Sequence, residues 1–334
     1  MCFTTYFFTI MMSCPLKSIK YFLLIFLFLI PQYAFSETVD NSTLNPKNIT
    51  PETEEEQTIT LNIISPLAEE TIHRTNVLIK GTVTNSANLD TGVTVNMRPA
   101  IIYGEIFIVN QLTLEKGKNI ITVTATDTAG HTSTISITVD AIVSKPEISL
   151  ESFPETGVAP LLTNFSVETA LPEHAVNYQI DYQGDGLIDS EGPSFENVSF
   201  TYKEEGIYYP TIKVTDELGN LYSDTIAIVV WNKSQIDKLL RDKWTFMNNS
   251  LSSGDIPAAL SCIHSERRLK YEKLFNALLE QLPDIVAARK EFKFISINEY
   301  MAKYELITSK DGHTYSHEVI FSKDLDGVWR IQSF

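Results

Sequence analysis

Two copies of one turn motif, each directly after a run of β-forming residues, most constrain what this chain can fold into. Thr-Asp-x-x-Gly occupies residues 126–130 and again residues 215–219. In such a turn the Asp side chain hydrogen-bonds its own backbone two residues on, and Gly takes the positive φ that closes the turn. The repeat predicts two tandem sandwiches that end on the same hairpin. The alternative is that Asp127 and Asp216 are ligands.

Strand-length runs surround the first motif at regular spacing. These runs cover residues 58–63, 76–83, 93–96, 106–109, 119–127 and 134–139. Short runs divided by Gly and Asn at this spacing are typical of an all-β sandwich. We therefore predict one sandwich over residues 58–143 and a second over residues 144–231, each with its own core.

The pattern changes from strand to helix after Trp231. Five apolar residues then recur at helical spacing on one face: Ile236, Leu239, Leu240, Trp244 and Met247. Strand-like runs return at residues 292–297, 301–308, 314–322 and 328–334, with hairpin signals at Asp311-Gly312 and Asp326-Gly327. Residues 232–334 are therefore predicted to form a small α+β module of helices followed by a curled antiparallel sheet.

The N-terminal residues predict export. Lys17 and Lys20 precede an unbroken apolar run at residues 21–30, and Ala34 and Ser36 are small residues suited to signal-peptidase cleavage. The run is shorter than the about 20 residues of a spanning helix. We predict a signal peptide over residues 1–36, an acidic flexible linker over residues 37–57, and no transmembrane span after cleavage. The mature protein is expected in the periplasm, outside the cell or at the cell surface.

Charge and cysteine content exclude other classes of protein. The net charge of −16 argues against nucleic-acid binding, which requires an excess of Lys and Arg. Residues 145–231 carry 15 acidic and 3 basic residues, whereas residues 232–334 carry 14 and 15. Beyond the predicted signal peptide the sequence has a single cysteine, Cys262, so an internal disulfide is not expected in the mature chain.

The first predicted sandwich resembles the immunoglobulin-like module of glucodextranase B type. The matching segments are Ser65-Pro66, residues 81–83, residues 93–96, Leu114 with Gly117 and Asn119, and residues 126–130. The resemblance implies an immunoglobulin-like sandwich that accompanies an active domain without reacting itself.

The second predicted sandwich resembles the PKD domain, an immunoglobulin-like module of extracellular proteins. The resemblance rests on the Tyr-Gln-Ile-Asp-Tyr-Gln-Gly-Asp-Gly segment at residues 178–186 and on Tyr202 with Gly206 and Tyr208. It implies a tyrosine corner in which a phenol bonds to the backbone. Ile180 stands where the family usually has Trp.

The C-terminal module resembles the cone-shaped nuclear-transport-factor-like, or SnoaL-like, superfamily. The resemblance rests on residues 253–260 and on the terminal Gly-Val-Trp-Arg-Ile-x-x-Phe segment at residues 327–334. The superfamily includes isomerases, although many members only bind or dimerise. The resemblance therefore makes this module a candidate for ligand binding or homodimerisation.

Asp181, Asp185 and Asp189 form a candidate calcium loop. A hard cation prefers carboxylate and carbonyl oxygens, and Gly186 permits a sharp turn. Gln183 stands where the helix-loop-helix calcium pattern has Asp or Asn, and Gly192 stands where it has Glu. The loop is also explained as a structural turn, the interpretation that we favour. Calcium is therefore treated as optional, and no cofactor is required.

Several residues of the C-terminal module are candidates for chemistry. His313, Tyr315 and His317 share one strand face, and with Tyr300 and Tyr304 they would line a cavity in the cone or serve as ordinary strand residues. An isomerase would need a buried carboxylate, for which the candidates are Glu299, Glu305 and Glu318. Cys262 with His264 is too small a set for a zinc site.

Two hypotheses for function follow. The first is an exported, non-catalytic, multidomain binding protein whose partner is a surface polysaccharide or another envelope protein. The alternative is an exported enzyme or small-ligand binder with its site in the C-terminal cone. The first is favoured because the sequence lacks a phosphate-binding loop, a His-Glu-x-x-His motif and a nucleophile elbow.

Overall fold

The computed structural model describes residues 58–142, 147–171 and 173–334, which belong to one compact unit, Glu55–Phe334. The predicted signal peptide and the predicted linker lie outside the described residues. Across the described residues, none of the helices combines the length and the apolarity needed to cross a membrane.

Residues 58–142, the first sandwich, form two sheets that are antiparallel except at β2. Its strands are β1 (Ile59–Ser65), β2 (Thr71–Ile72), β3 (Asn76–Asn85), β4 (Thr91–Val95), β5 (Arg98–Pro99), β6 (Ile101–Tyr103), β7 (Ile106–Thr113), β8 (Gly117–Asp127) and β9 (Thr132–Ala141). The strand orders are β1-β3-β7-β6 and β2-β9-β8-β4-β5, with β2 parallel to β9. The two sheets enclose a core that includes Ile79, Val93 and Phe107.

Residues 147–231, the second sandwich, form three smaller sheets. Its strands are β10 (Glu147–Phe153), β11 (Thr156–Val158), β12 (Leu161–Ala170), β13 (Ala175–Asp181), β14 (Ser190–Gly192), β15 (Val198–Tyr202), β16 (Gly206–Tyr208), β17 (Thr211–Asp216), β18 (Leu221–Thr225) and β19 (Ile228–Trp231). The strand orders are β10-β12-β15, β11-β19-β16 and β14-β13-β17-β18. Tyr202 is buried and donates its phenol O–H to the carbonyl of Tyr182, 20 residues upstream, at 2.8 Å. Tyr208 donates its phenol O–H to the carbonyl of Glu204, four residues upstream, at 3.0 Å, which is the short-range bond of a tyrosine corner.

Residues 232–334, the C-terminal module, pack helices on a four-stranded sheet. The helices are α1 (Lys233–Ser252), α2 (Ile256–Ser261), α3 (Arg268–Ala277) and α4 (Leu282–Ala287); the strands are β20 (Arg289–Ile297), β21 (Met301–Lys310), β22 (His313–Lys323) and β23 (Trp329–Ser333). The sheet order is β20-β21-β22-β23, antiparallel throughout. The hairpin predicted at Asp311-Gly312 joins β21 to β22, and both turn residues have positive φ, as a two-residue hairpin turn requires.

The repeated motif forms the same turn in both sandwiches. One carboxylate oxygen of Asp127 accepts the N–H groups of Ala129 and His131, and one of Asp216 accepts those of Leu218 and Asn220. The glycines that close the two turns have φ values of 91° and 82°. The structural interpretation of both aspartates is confirmed, because their oxygens are already engaged by backbone.

Each sandwich has its own core, as predicted, but the core of the C-terminal module extends into both sandwiches, which corrects the prediction that this module folds on a separate core. Its cluster extends from the helices and β20–β23 to Ile101 and Ile108 of the first sandwich and to Ala227, Val229 and Trp231 of the second. Strand β19 carries this arrangement because its side chains alternate. Ile228 and Val230 face the core of the second sandwich, whereas Val229 and Trp231 face the shared core.

Polar contacts reinforce this junction. The buried Asn110 side chain accepts the N–H of Ala227 and donates to its carbonyl, each at 2.8 Å. Arg74 of the first sandwich pairs with the buried Asp224 of the second at 2.6 Å. The two sandwiches are therefore held in one arrangement by hydrogen-bonded buried groups as well as by apolar contacts.

Backbone also meets backbone between β4 and the β22–β23 turn. A Cβ on Gly92 would overlap the backbone of Asp326 and Gly327, and a Cβ on Gly327 would lie 2.6 Å from the carbonyl oxygen of Val93. Gly327 was predicted as a hairpin residue, and its φ of 81° fits that role. Gly327 also has a second role, because a larger residue at this position would force the first sandwich and the C-terminal module apart.

Candidate functional site

A cavity of about 670 Å³ lies between the first sandwich and α1. Its apolar lining includes Tyr103, Trp231 and Trp329. Its polar lining includes Asn88, Asp90, Glu105, Glu205, Asn232, Gln235 and Lys323. The volume falls within the range of small-molecule sites, which combine apolar walls with a few polar groups. All three parts of the fold therefore contribute to one concave site.

The two tryptophans are fixed by their surroundings. Trp231 ends β19 and donates its indole N–H to the carbonyl of Ile102 at 2.8 Å, which ties the second sandwich to the first. Trp329 begins β23, and the two rings meet edge to face with centroids 6.3 Å apart. Each residue is 6 % exposed, so most of each ring belongs to the shared core.

Lys323, the last residue of β22, brings a cation to the cavity wall. Its ammonium donates to the carbonyl of Ala100 at 2.7 Å and lies 5.6 Å from the Trp329 ring and 6.0 Å from the Trp231 ring. Burial lowers the pKa of Lys323 to about 8, and the negative charge of Glu299 acts in the opposite direction. An amine in this environment loses its proton far more readily than a surface lysine does.

The carboxyl group of Glu299 acts on this lysine, and that of Glu155 acts on Glu299 in turn. Glu299 is 7 % exposed, and one of its oxygens has no hydrogen-bond partner within the described part of the chain. Burial raises the pKa of Glu299, while a backbone hydrogen bond from Thr156 and the charge of Lys323 oppose the shift. Burial and the charge of Glu299 also raise the pKa of Glu155. Burial at the junction therefore destabilises the charged forms of these ionisable groups.

The polar side of the cavity has groups available for a ligand. Asp90 is committed to Lys243 at 2.6 Å. Glu105 and Glu205 are exposed, and within the described residues neither has an ion-pair partner. Asn232 caps α1 by accepting the N–H of Gln235 at 3.0 Å, which leaves its amide N–H₂ free to donate. Hydrogen-bond donors and acceptors thus line the same cavity as the tryptophans.

The candidate calcium loop is built as a backbone-bonded turn. The Asp181 carboxylate accepts the N–H groups of Gln183, Gly184 and Gly186 at 2.7–3.0 Å. Asp189 accepts the N–H of Tyr182, and Asp185 that of Leu187. Over the residues that the structure describes, no cluster of three or more His, Cys, Asp or Glu side chains is placed to hold a metal. The geometry favours the structural turn, and calcium binding stays a prediction.

Acid is expected to weaken this loop. Burial alone raises the pKa of Asp181, but the N–H groups of Gly184 and Gly186 outweigh it and hold the pKa below the ordinary value. A depressed folded-state pKa gives stability that is present above the unfolded pKa of about 3.9 and is lost as the pH falls through the folded value. We expect Asp181→Asn to reduce the melting temperature at neutral pH and to flatten its fall below about pH 4. Thermal melts at a series of pH values measure the effect of Asp181→Asn. Melts of the wild-type chain with and without calcium test the turn interpretation, which a melting temperature that rises with calcium would contradict.

The candidates in the C-terminal module do not meet in a cavity. Tyr304 lies in the core and donates to Asp237 at 2.8 Å, whereas Tyr300 is 66 % exposed. His313, Tyr315 and His317 are exposed on β22, where the His317 ring contacts the Thr308 hydroxyl at 3.1 Å. The interpretation as ordinary strand residues is confirmed for Tyr304, His313, Tyr315 and His317, whereas Tyr300 lies between β20 and β21.

The carboxylate and cysteine candidates of the C-terminal module also lie at different places and do not form one site. Glu305 accepts the Ser316 hydroxyl and Glu318 pairs with Lys303, whereas Glu299 lies at the junction of the modules. Cys262 is buried, and the His264 ring lies 3.6 Å from Asp324, which is paired with Arg330.

One family model matches part of the chain. The model of glucodextranase, domain B, matches residues 59–143, which confirms the resemblance predicted for the first sandwich. No curated protein matches the chain. The resemblances to the PKD domain and to the nuclear-transport-factor-like superfamily stay predictions.

Solved structures align with about half of the chain. Fibronectin(III)-like modules of Clostridium thermocellum CbhA are 13% identical over 51% of this chain and 94% of their own, with a TM-score of 0.21. Bacteroides ovatus SGBP-B, a mixed-linkage glucan utilization protein solved with a heptasaccharide, is 14% identical over 52% of this chain and 47% of its own, with a TM-score of 0.19. Latent PorU from Porphyromonas gingivalis is 12% identical over 53% of this chain and 20% of its own, with a TM-score of 0.27. TM-scores this low say nothing about what this chain binds.

The residues that build the cavity were not identified from sequence. Asn88, Glu105, Glu205, Gln235 and Lys323 are ordinary surface-type residues in five separate segments. Their convergence depends on how the sandwiches pack on the C-terminal module. A signal was present at Trp231 and Trp329, since large aromatic residues near a module boundary and in a terminal motif are candidates for an interface.

Proposed function

We propose that this chain is an exported, non-catalytic binding protein of the cell envelope or extracellular space, and that a polysaccharide segment binds in the cavity beside α1. The observation that carries the proposal is the cavity itself, whose lining combines Tyr103, Trp231 and Trp329 with amide and carboxylate groups. A sugar ring has an apolar face and a rim of hydroxyls. Aromatic walls and paired donors and acceptors complement those two features.

The rigidity of the junction supports a binding role. Because the walls come from elements that share one core, the cavity is formed before a ligand arrives. Preorganised sites lose less conformational entropy on binding. The match of the first sandwich to a module of glucodextranase, whose name refers to a polysaccharide, and the predicted signal peptide agree with an exported saccharide-binding protein.

The arrangement of the carboxyl groups favours binding over hydrolysis. Glycoside hydrolysis uses two carboxyl groups on opposite sides of the scissile bond, one of them kept protonated by its environment. Glu105 and Glu205 are exposed, Asp90 is paired with Lys243, and the buried Glu299 is not part of the cavity lining. We therefore propose that a saccharide is held without turnover.

The proposal predicts a specific binding defect. A glycan array followed by calorimetry on the full mature chain identifies the saccharide. Glu205→Gln and Gln235→Ala are each expected to weaken its binding about tenfold, since one hydrogen bond contributes about 0.5–1.5 kcal/mol and a charged one more. Glu204→Gln is the matched control, because Glu204 is exposed beside Glu205 but is not part of the lining.

Two results would contradict the proposal. If no saccharide binds the intact chain, the polysaccharide assignment is wrong, and an envelope protein becomes the partner to seek. If a bound saccharide is cleaved, and a carboxyl substitution stops cleavage with the fold intact, the enzyme hypothesis replaces the binding one.

A further inference from the structure

The amine of Lys323 has an unusual set of neighbours. The side chain is partly exposed and lines the cavity, and its nitrogen is bonded to a neutral peptide carbonyl, that of Ala100. Within the described residues no carboxylate oxygen lies within 4.0 Å of this nitrogen, since no such ion pair occurs. Most other side chains that line the cavity offer hydrogen bonds or apolar contacts. The amine of Lys323 is therefore the candidate nucleophile of the cavity.

We propose that Lys323 is a nucleophilic amine that captures an aldehyde entering the cavity as a reversible imine, without turnover. The ligand class is a small aldehyde or the open-chain end of a reducing saccharide. The proposal goes beyond saccharide binding and does not require it, because a small aldehyde needs only the cavity and the amine.

The bonding around the nitrogen suits this step. A neutral amine has two N–H groups and one lone pair. One N–H bonds to the Ala100 carbonyl at 2.7 Å, which leaves the lone pair available. The rings of Trp231 and Trp329 are at 6.0 and 5.6 Å, near the distance limit of about 6 Å for cation–π attraction. The aromatic neighbours therefore exclude water more than they stabilise the ammonium.

The chemistry balances with groups that are present. The nitrogen lone pair attacks the carbonyl carbon, the C=O π electrons move to oxygen, and a proton passes from nitrogen to that oxygen to give a carbinolamine. The carbinolamine then loses its hydroxyl with a second nitrogen proton as water, and a C=N bond forms. Addition of water reverses both steps, so no oxidant or reductant is needed.

Desolvation makes the reactive form common at ordinary pH. Because burial lowers the pKa of Lys323 to about 8, roughly a quarter of the amine is neutral near pH 7.5. A surface lysine of ordinary pKa is about 0.1 % neutral at that pH, a difference of about 200-fold. Lower basicity reduces intrinsic nucleophilicity, so the expected advantage in rate is smaller, about tenfold or more.

The test is reductive trapping on the full mature chain. Propionaldehyde and sodium cyanoborohydride are added, and peptide mapping by mass spectrometry gives the rate of alkylation at each lysine. We expect Lys323 to be alkylated at least about tenfold faster than Lys80, a partly buried lysine 4.9 Å from the Tyr209 ring and outside the cavity. Lys323→Arg should remove the fast site, and Lys80→Arg should not.

The pH dependence identifies the cause. The rate at Lys323 should rise with a midpoint near pH 8, and Glu299→Gln should move that midpoint lower, because it removes the negative charge that stabilises the ammonium. Alkylation of Lys323 no faster than that of Lys80 in the wild-type chain would overturn the proposal, whether or not Lys323→Arg folds.

A second arm separates this inference from the saccharide proposal. A saccharide found by calorimetry should slow the propionaldehyde reaction at Lys323 if both occupy the cavity. Fast alkylation with no saccharide bound would support the imine and contradict the saccharide. Saccharide binding without fast alkylation at Lys323 would support the saccharide proposal and contradict the imine. A reducing saccharide used in place of propionaldehyde then decides which aldehyde source the site accepts.

Discussion

Trp329→Ala is expected to lower the free energy of unfolding by about 3–5 kcal/mol, the usual cost of truncating a buried aromatic residue. Trp329 is 6 % exposed and contacts Trp231 edge to face across the junction between the second sandwich and the C-terminal module. The loss should therefore spread beyond the C-terminal module. We expect one cooperative transition at a lower denaturant concentration.

Hydrogen exchange can locate the effect. If the core is shared, amides of β19 and of β7 should lose protection together with those of β23 in Trp329→Ala, since Val229 and Ile108 belong to the same cluster. Tyr315→Ala is the matched control, because that aromatic residue is 48 % exposed on the same sheet. Full protection of both sandwiches alongside an unfolded C-terminal module would show that the three parts are independent, as the sequence had predicted.

Asn110→Ala is expected to cost about 2–5 kcal/mol, although it removes few atoms. The Asn110 side chain satisfies both the N–H and the C=O of Ala227 at 2.8 Å, in a buried site between the two sandwiches. Alanine would leave both backbone groups without a partner, and each unsatisfied buried group costs about 1–3 kcal/mol. Denaturant unfolding of the intact chain measures the loss.

Two further variants sharpen that measurement. Asn110→Asp keeps an acceptor for the Ala227 N–H but faces its carbonyl, and Glu155 nearby, with a negative charge, so it should be at least as harmful as alanine. Asn177→Ala is the control, because its amide bonds to Glu191 at an exposed position of the second sandwich. A loss below about 1 kcal/mol for Asn110→Ala would mean that water replaces the amide and that the junction is looser than its contacts imply.

These two substitutions also test the binding proposal. The cavity exists because the first sandwich and α1 are held in one relative position, and Asn110 and Trp329 both act on that arrangement. A variant that still folds but loosens the junction should bind a saccharide more weakly, because part of the binding free energy would be used to restore the site.

The sequence by itself determined the local structure. Alternating apolar residues predict the strands, and Asp127 and Asp216 predict the turns, because each depends on interactions a few residues apart. The hairpin at Asp311-Gly312 was predictable for the same reason, as was a phenol-to-backbone bond beside Gly206, which Tyr208 makes to the carbonyl of Glu204. The match of residues 59–143 to glucodextranase, domain B, confirms the first sandwich.

Only the tertiary structure decided how the parts join and where the cavity lies. Periodicity assigns Val229 and Trp231 to one face of β19, but it does not say that this face meets the C-terminal module. Gly92 lies in a strand, so no turn requires glycine there. A side chain is excluded only because the backbone of Gly327, 235 residues along the chain, approaches Gly92 too closely for a Cβ. Lys323 is a surface-type residue in sequence. Trp329 is its cross-strand partner within the C-terminal sheet, but Ala100 and Trp231 belong to the two sandwiches and approach it only when all three parts pack together. Its place in the cavity and the burial that lowers its pKa therefore depend on that packing.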